Sequence, residues 1–381
     1  MRGPLSRHLY LYLYLYRYRY RYRYRYRYRY RYRYRYLGAP AGAFGGSPAA
    51  VRCMRTGPRS GNDTGRRTGR ATITMSNATE TGSKSRVRWG VVAGVVLGSV
   101  MVLLALSGGH EILTVPKAVL LGAVEGITEY LPVSSTGHLL VTQRLVDLGS
   151  GAGKTAADTY AIAIQMGAIA AVVALYWRRM VSMAEGLVGR DPAGRALLGH
   201  LLVAFAPAAV VGFALGDTVK DHLFTPWPVV IAWAVGGLFL LVWKAHPGTG
   251  SLASLTVRTS LLIGLAQTVA LWPGVSRSLV TIAAALALGL SMGAAIEFSF
   301  LLGLATLTAA TVLDLAKDGS KLLSDYGWRT PTLGALVAFV TAYVAVRWMV
   351  SYLRDHPLAI FGWYRIGIAI ITIVLIVTGA V

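Results

Sequence analysis

Cysteine is all but absent from this chain of 381 residues: the single Cys53 excludes an internal disulfide and leaves no cluster for a structural zinc. Charge is scarce as well. Charged residues make up 14% against 55% hydrophobic, with a positive mean hydropathy, which excludes disorder, collagen and an ordinary soluble enzyme. Acidic side chains are rarest, 16 against 38 Lys and Arg, for a formal net charge of +22. Spread evenly, that excess would suggest nucleic acid, but residues 1–88 hold 21 basic and 2 acidic side chains, a net of +19. The other 293 residues carry only +3. The basic character belongs to a tail, no nucleic-acid partner is expected, and the remainder reads as an integral membrane protein.

In the tail, tyrosine fills every second position from Tyr10 to Tyr36, alternating with leucine and then with ten arginines, Arg17 to Arg35. Alternating Tyr and Arg can stack on and neutralise nucleic acid. Low complexity followed by Gly/Arg/Thr/Ser-rich sequence without apolar period instead marks a disordered extension or a misassigned start. Met75, ahead of Lys84, Arg86, Arg88 and an apolar run, is a natural alternative start. Residues 1–88 are therefore set apart as a low-complexity basic tail.

Apolar stretches long enough to cross ~30 Å of hydrocarbon fall near 89–107, 159–177, 197–216, 227–243, 296–313, 331–350 and 360–380. Two further stretches, 112–146 and 256–290, are each interrupted by a polar knot: Pro132-Val133-Ser134-Ser135-Thr136-Gly137-His138 and Pro273-Gly274-Val275-Ser276-Arg277-Ser278. Irregular backbone at membrane depth is tolerated only where protein or a water-filled cavity receives it, so each knot predicts a helix that enters, breaks and returns. The Lys/Arg bias of the short loops orients the spans, with Lys84, Arg86 and Arg88, then Arg178 and Arg179, then Lys244 and Arg258, then Arg347 and Arg354 on the cytoplasmic side. The expectation is an all-α polytopic membrane protein: one extra N-terminal transmembrane helix (89–107), then a membrane domain, 112–381. That domain divides into halves of about 112–243 and 256–381, each a re-entrant helix hairpin plus three transmembrane helices. Three is odd, so the repeat is inverted and the broken hairpins meet near the middle.

The knots carry the chemistry. Glu125 and Glu129 stand one helical turn apart inside an apolar run, where a charge is expensive and by default functional. Ser134, Ser135, Thr136 and His138 follow, able to bond an oxyanion, accept a proton or attack as a nucleophile. The second knot supplies the opposite charge: Arg277 is the only cation between Thr259 and Phe298, flanked by Ser276 and Ser278, with Thr281 one turn on. Arginine, hydroxyls and a helix start after Pro273-Gly274 make a phosphate seat. Acids with a nucleophile in one half and an anion clamp in the other are the inventory for phosphoryl transfer. Gln165 and Glu297, inside spans, read either as supporting groups of the site or as interhelical hydrogen bonds.

The run Glu125-Gly-Ile-Thr-Glu129-Tyr-Leu-Pro-Val-Ser134-Ser135-Thr136-Gly-His138, together with Pro273-Gly-Val-Ser276-Arg277-Ser278, closely resembles the undecaprenyl-diphosphatase family of bacitracin-resistance type. The likeness extends through Gln165-Met166-Gly167, Trp177-Arg178-Arg179 and Glu297-Phe298-Ser299 and covers about 112–381. It implies a multi-pass enzyme of the bacterial plasma membrane that removes the terminal phosphate of a polyprenyl diphosphate, regenerating the monophosphate carrier for cell-wall synthesis and conferring bacitracin resistance. It also implies catalytic roles for Glu125, Glu129, Ser135 and His138. Substrate binding would fall to Ser134, Thr136, Ser276, Arg277, Ser278 and Thr281, and a divalent cation, Mg²⁺ or Ca²⁺, to Glu125 and Glu129. The chain departs from the family at Leu279, where glycine is usual, and at Ala284-Ala285. A polyprenyl-phosphate flippase is the competing reading, because inverted repeats with broken helices are transporter architecture. The sequence leaves oligomeric state open, a homodimer included.

Overall fold

The computed structural model describes Met101, residues 113–148 and residues 151–381, so the Tyr/Arg repeat and all but one residue of the expected span 89–107 lie outside the described residues. The described chain is all-helical: α1 (Val115–Thr128), α2 (Ser135–Leu145), α3 (Gly151–Leu175), α4 (Trp177–Leu187), α5 (Pro192–Leu223), α6 (Pro226–Val242), α7 (Val257–Thr268), α8 (Arg277–Ala287), α9 (Met292–Tyr326), α10 (Arg329–Tyr352) and α11 (Ala359–Val377). Short 3₁₀ turns cover Leu252–Ser254 and Val269–Leu271. Local chemistry sets the starts. Asp191 accepts from the backbone N–H groups of Ala193 and Gly194 ahead of α5, Thr256 and Thr259 form a reciprocal capping box on α7, and Ser291 caps α9.

Among the described residues, five helices are long and apolar enough to cross a membrane: Ala157–Leu175, Pro192–Leu223, Met292–Lys317, Arg329–Tyr352 and Ala359–Val377. Each coincides with an expected span. The sixth, expected at 227–243, forms as the apolar α6 but has only 17 residues. Both interrupted stretches break where their polar knots fall. α1 and α2 are separated by residues 129–134, and α7 and α8 by the 3₁₀ turn and residues 272–276. One element was not anticipated: Trp177–Leu187, expected as the end of a span and a loop, forms α4, separated from α3 only by Tyr176 (φ −108°, ψ 24°).

Close backbone approaches hold the short helices. A Cβ at Gly122 on α1 would stand 2.7 Å from the carbonyl oxygen of Gly334 on α10, and one at Gly264 on α7 would stand 2.2 Å from that of Ala204 on α5. Small residues at such crossings give the van der Waals contact that drives helix association in lipid. α1 and α3 both lie on α10, α7 lies on α5, α6 on α11, and α3 on α9. The main core runs through Tyr130, Leu131, Ile282, Phe298, Phe300 and Leu301, against the two breaks.

Candidate active site

α1 ends because Pro132 removes a donor, and the chain restarts as α2 only after Ser134, which is held at φ 72°, ψ 102°. α8 restarts after Ser276 at φ 72°, ψ 112°. A serine with this backbone costs about 1–3 kcal/mol and persists only where its surroundings fix it. The surroundings here are side chains that claim the carbonyls of the first break. Leu131 O accepts from Ser278 Oγ at 2.9 Å and from Ser276 Oγ at 3.4 Å, Pro132 O from Arg365 Nη1 at 3.3 Å, and Val133 O from Trp233 Nε1 at 2.8 Å. The bonds from Ser276 and Ser278 join the second knot directly to the first.

At their junction Glu129 is the hub. Arg277 Nη2 donates to Glu129 Oε1 at 2.9 Å, with the two side chains 11% and 8% exposed, and the Ser135 hydroxyl donates to Glu129 Oε2 in a short hydrogen bond. The Arg277 guanidinium also lies over the Tyr130 ring (5.6 Å), donates to Ser299 O at 3.4 Å and rests against Gly303. Thr281 donates to Arg277 O at 2.8 Å and shares a 2.6 Å bond with Ser299 Oγ, so it steadies the start of α8. Glu125, one turn before Glu129, is buried, and its carboxylate receives no hydrogen bond from the described residues.

Not every expected site residue meets the hub. His138 is buried and stacked against Tyr364. Its Nδ1 lies 2.6 Å from Ser134 O, and its Nε2 lies 2.8 Å from the Tyr364 hydroxyl. A carbonyl only accepts, so Nδ1 carries a proton and donates it to Ser134 O. Thr136 is exposed, with no side-chain hydrogen bond among the described residues. Gln165 accepts from Thr311 at 2.7 Å, and Glu297 accepts from Arg179 at 2.6 Å, so both are interhelical links. Leu279, where glycine was the family expectation, is packed in the core. The sequence reading missed Arg365, Tyr364, Trp233, Tyr130, Ser299 and Gly303. Arg365 was detectable by the rule that singled out Glu125, a charge inside an apolar run.

Two carboxylates, a serine hydroxyl already bonded to one of them, and an arginine from the other knot stand within one buried cluster, a set whose chemistry suits a base, a nucleophile and an anion ligand. Residues 118–371 match the family described as bacitracin resistance protein BacA. The chain belongs to the BacA family. It is 42% identical over 261 residues to undecaprenyl-diphosphatase 2 of Rhodospirillum rubrum, an overlap covering 68% of this chain and 93% of that protein. It is 43% identical over 258 residues to the undecaprenyl-diphosphatase of Sorangium cellulosum (66% and 83%), and 38% identical over 272 residues to undecaprenyl-diphosphatase 1 of Acinetobacter baylyi (71% and 98%). The BacA match begins at Ala118 in α1 and ends at Ile371 in α11, so it takes in both knots and Arg365.

Proposed function

We propose that this BacA-family chain is an undecaprenyl-diphosphate phosphatase of the bacterial plasma membrane, releasing the terminal phosphate and returning the monophosphate carrier to cell-wall synthesis. The observation that carries the reading is the hub: one carboxylate, Glu129, receives both the hydroxyl of Ser135 and the guanidinium of Arg277. A transporter needs an anion clamp but has no use for a carboxylate poised on a serine hydroxyl.

In this account the diphosphate enters beside Arg277, whose planar fork suits bidentate phosphate binding, with Ser276, Ser278, Thr281 and Ser134 around the seat and the exposed Thr136 outside it. Arg277 exchanges its bond to Glu129 for the phosphate, leaving that carboxylate free to take the Ser135 proton. Ser135 Oγ bonds to the terminal phosphorus as the bridging P–O bond breaks, and the monophosphate lipid leaves with that electron pair and with the proton that Glu129 took from Ser135, so that Glu129 is again a carboxylate. Water then attacks the phosphoserine, giving one proton to Glu129. Ser135 regains a proton from Glu129 as inorganic phosphate departs. His138, holding Ser134 O, fixes the strained turn from which Ser135 is presented.

The residues fit a divalent cation. Glu125 is buried without a hydrogen-bond donor, and Glu129 is its neighbour one turn on. Among the described residues no group of three His, Cys, Asp or Glu stands together, so the protein would supply two carboxylates and leave the rest of the shell to water and phosphate, as Mg²⁺ prefers. When bound, the ion would offset the repulsion between these acids and the diphosphate.

We also read residues 112–381 as an inverted repeat of re-entrant hairpin plus three spans. At 14, 11, 12 and 11 residues, α1, α2, α7 and α8 reach at most about 21 Å at 1.5 Å per residue, short of ~30 Å of hydrocarbon. The packing of α1 on α10 has its counterpart in α7 on α5, and Ser134 and Ser276 share one backbone geometry.

The test uses purified full-length protein in detergent. Phosphate should be released from long-chain polyprenyl diphosphate with Mg²⁺ or Ca²⁺ and suppressed by chelation. Short soluble diphosphates should react poorly, since the tail contributes ~0.8 kcal/mol per buried CH₂. Lipid movement in vesicles without phosphate release would favour the flippase.

A further inference from the structure

We propose that Arg365 is a positioning residue that ties the two polar breaks into one unit and so sets the spacing between Glu129 and Arg277. The proposal rests on the phosphatase reading of that pair.

Arg365 sits six residues into the apolar α11 and is fully buried. Its guanidinium makes no ion pair among the described residues and instead donates to three backbone carbonyls. Nη1 reaches Pro132 O at 3.3 Å, and Nη2 reaches Gly274 O and Ala232 O, both at 2.8 Å. Pro132 belongs to the first break and Gly274 to the second. Each lies three residues from the ion pair, Pro132 after Glu129 and Gly274 before Arg277. Neither carbonyl receives a backbone hydrogen bond from the described residues. In lipid such a carbonyl must find a donor inside the protein, and one side chain serves both.

The site leaves no slack. A Cβ at Gly236 on α6 would stand 2.4 Å from Arg365 Nη2, and Gly237 and Gly362 meet backbone to backbone beside it. A planar fork can span carbonyls from three segments, whereas the lysine ammonium is a compact point on a flexible stem. The wild-type geometry thus depends on a residue that touches neither Ser135 nor the Glu129 carboxylate.

Two variants and two readouts test this. Arg365→Lys keeps the charge and loses the fork. Gly236→Ala keeps the arginine and pushes it. In protein that elutes as a single folded species, Arg365→Lys should lower kcat on the order of 100-fold, the usual consequence of a misplacement of about 1 Å, with KM within about threefold of wild type. Gly236→Ala should move kcat the same way. The second readout is independent of activity: spin labels at Leu145→Cys and Ala287→Cys, at the far ends of α2 and α8, on a Cys53→Ser background. They should give one narrow distance with Arg365 present and a broadened or shifted one in either variant. Wild-type kcat in folded Arg365→Lys, or an unchanged label distance in both variants, overturns the proposal. A raised KM with kcat unchanged also overturns it, making Arg365 a source of field for substrate binding. If the wild-type chain releases no phosphate, the phosphatase reading fails, while the label distances still decide whether Arg365 joins the breaks.

Discussion

Gly303→Ala tests the Glu129–Arg277 junction without altering either residue. A Cβ at position 303 would stand 1.6 Å from Arg277 Nη1, 2.3 Å from Cζ and 2.6 Å from Nη2. Ordinary contact begins near 3.5 Å, so the guanidinium must retreat by roughly 1.5–2 Å. The 2.9 Å bond to Glu129 cannot survive that displacement in a pair this enclosed. Separating a buried pair costs up to about 3–5 kcal/mol when one partner is removed outright. Here both charges stay, and alanine for glycine in the middle of α9 returns about 1 kcal/mol of helix propensity. The fold should therefore survive with a net loss of no more than about 4 kcal/mol, while misplacing the anion ligand lowers kcat/KM about 100-fold. Initial rates of phosphate release, beside a thermal melt of the same detergent-purified protein, read both quantities. Gly293→Ala, on the same helix with open space around its Cβ, is the control and should be neutral. Wild-type kcat/KM in Gly303→Ala would refute the claim that Arg277 works from the position it holds against Gly303.

Arg277→Lys keeps the charge but not the fork, and kcat/KM should fall at least as far as in Gly303→Ala; a variant rescued by charge alone would reduce Arg277 to a general field. Ser134→Gly relieves a positive φ of 72° and keeps the carbonyl that His138 grips. It should raise thermal stability by about 1 kcal/mol while lowering kcat/KM if the hydroxyl lines the phosphate seat; a destabilised variant would show that the turn is unstrained. Asp191, at the start of α5, is held below the usual carboxylate range by the Ser182 hydroxyl and then the N–H of Gly194. Its contribution is present above its ordinary pKa of 3.8 and is lost as pH falls through the lower folded value. Asp191→Asn should flatten that acid-side decline in melting temperature, and an unchanged profile would count against the cap.

How much was legible in the sequence follows from how far each signal reaches. Glu125, Glu129 and Arg277 stand out because ionisable groups inside apolar runs are rare, and Pro132 and Pro273-Gly274 mark breaks because they remove donors and permit unusual backbone. Five spans were readable from length and composition alone. Gly303 and Ser299 were not legible, since their role is to give Arg277 room and a carbonyl across two helices, which no local pattern encodes. Thr136 and His138 carry the right functional groups in the right motif, yet helical phase turns Thr136 outward and sends His138 to Tyr364 and Ser134 O. α4 was hidden because its apolar positions are too few to register as a span and too polar to register as core. Arg365 was visible, but the run 360–380 reads so strongly as a span that its one arginine was absorbed into the count.

The most direct measurement is a single-turnover comparison of wild type and Glu129→Gln, in detergent with Mg²⁺, on a long-chain polyprenyl diphosphate. Glutamine keeps the shape of the hub and removes its capacity to take the Ser135 proton. Wild type should convert the diphosphate to monophosphate and inorganic phosphate, and the equally abundant, equally folded glutamine variant should do so more slowly by a factor on the order of 10²–10⁴, the usual contribution of a general base. Conversion by Glu129→Gln at a rate near that of wild type would contradict the account.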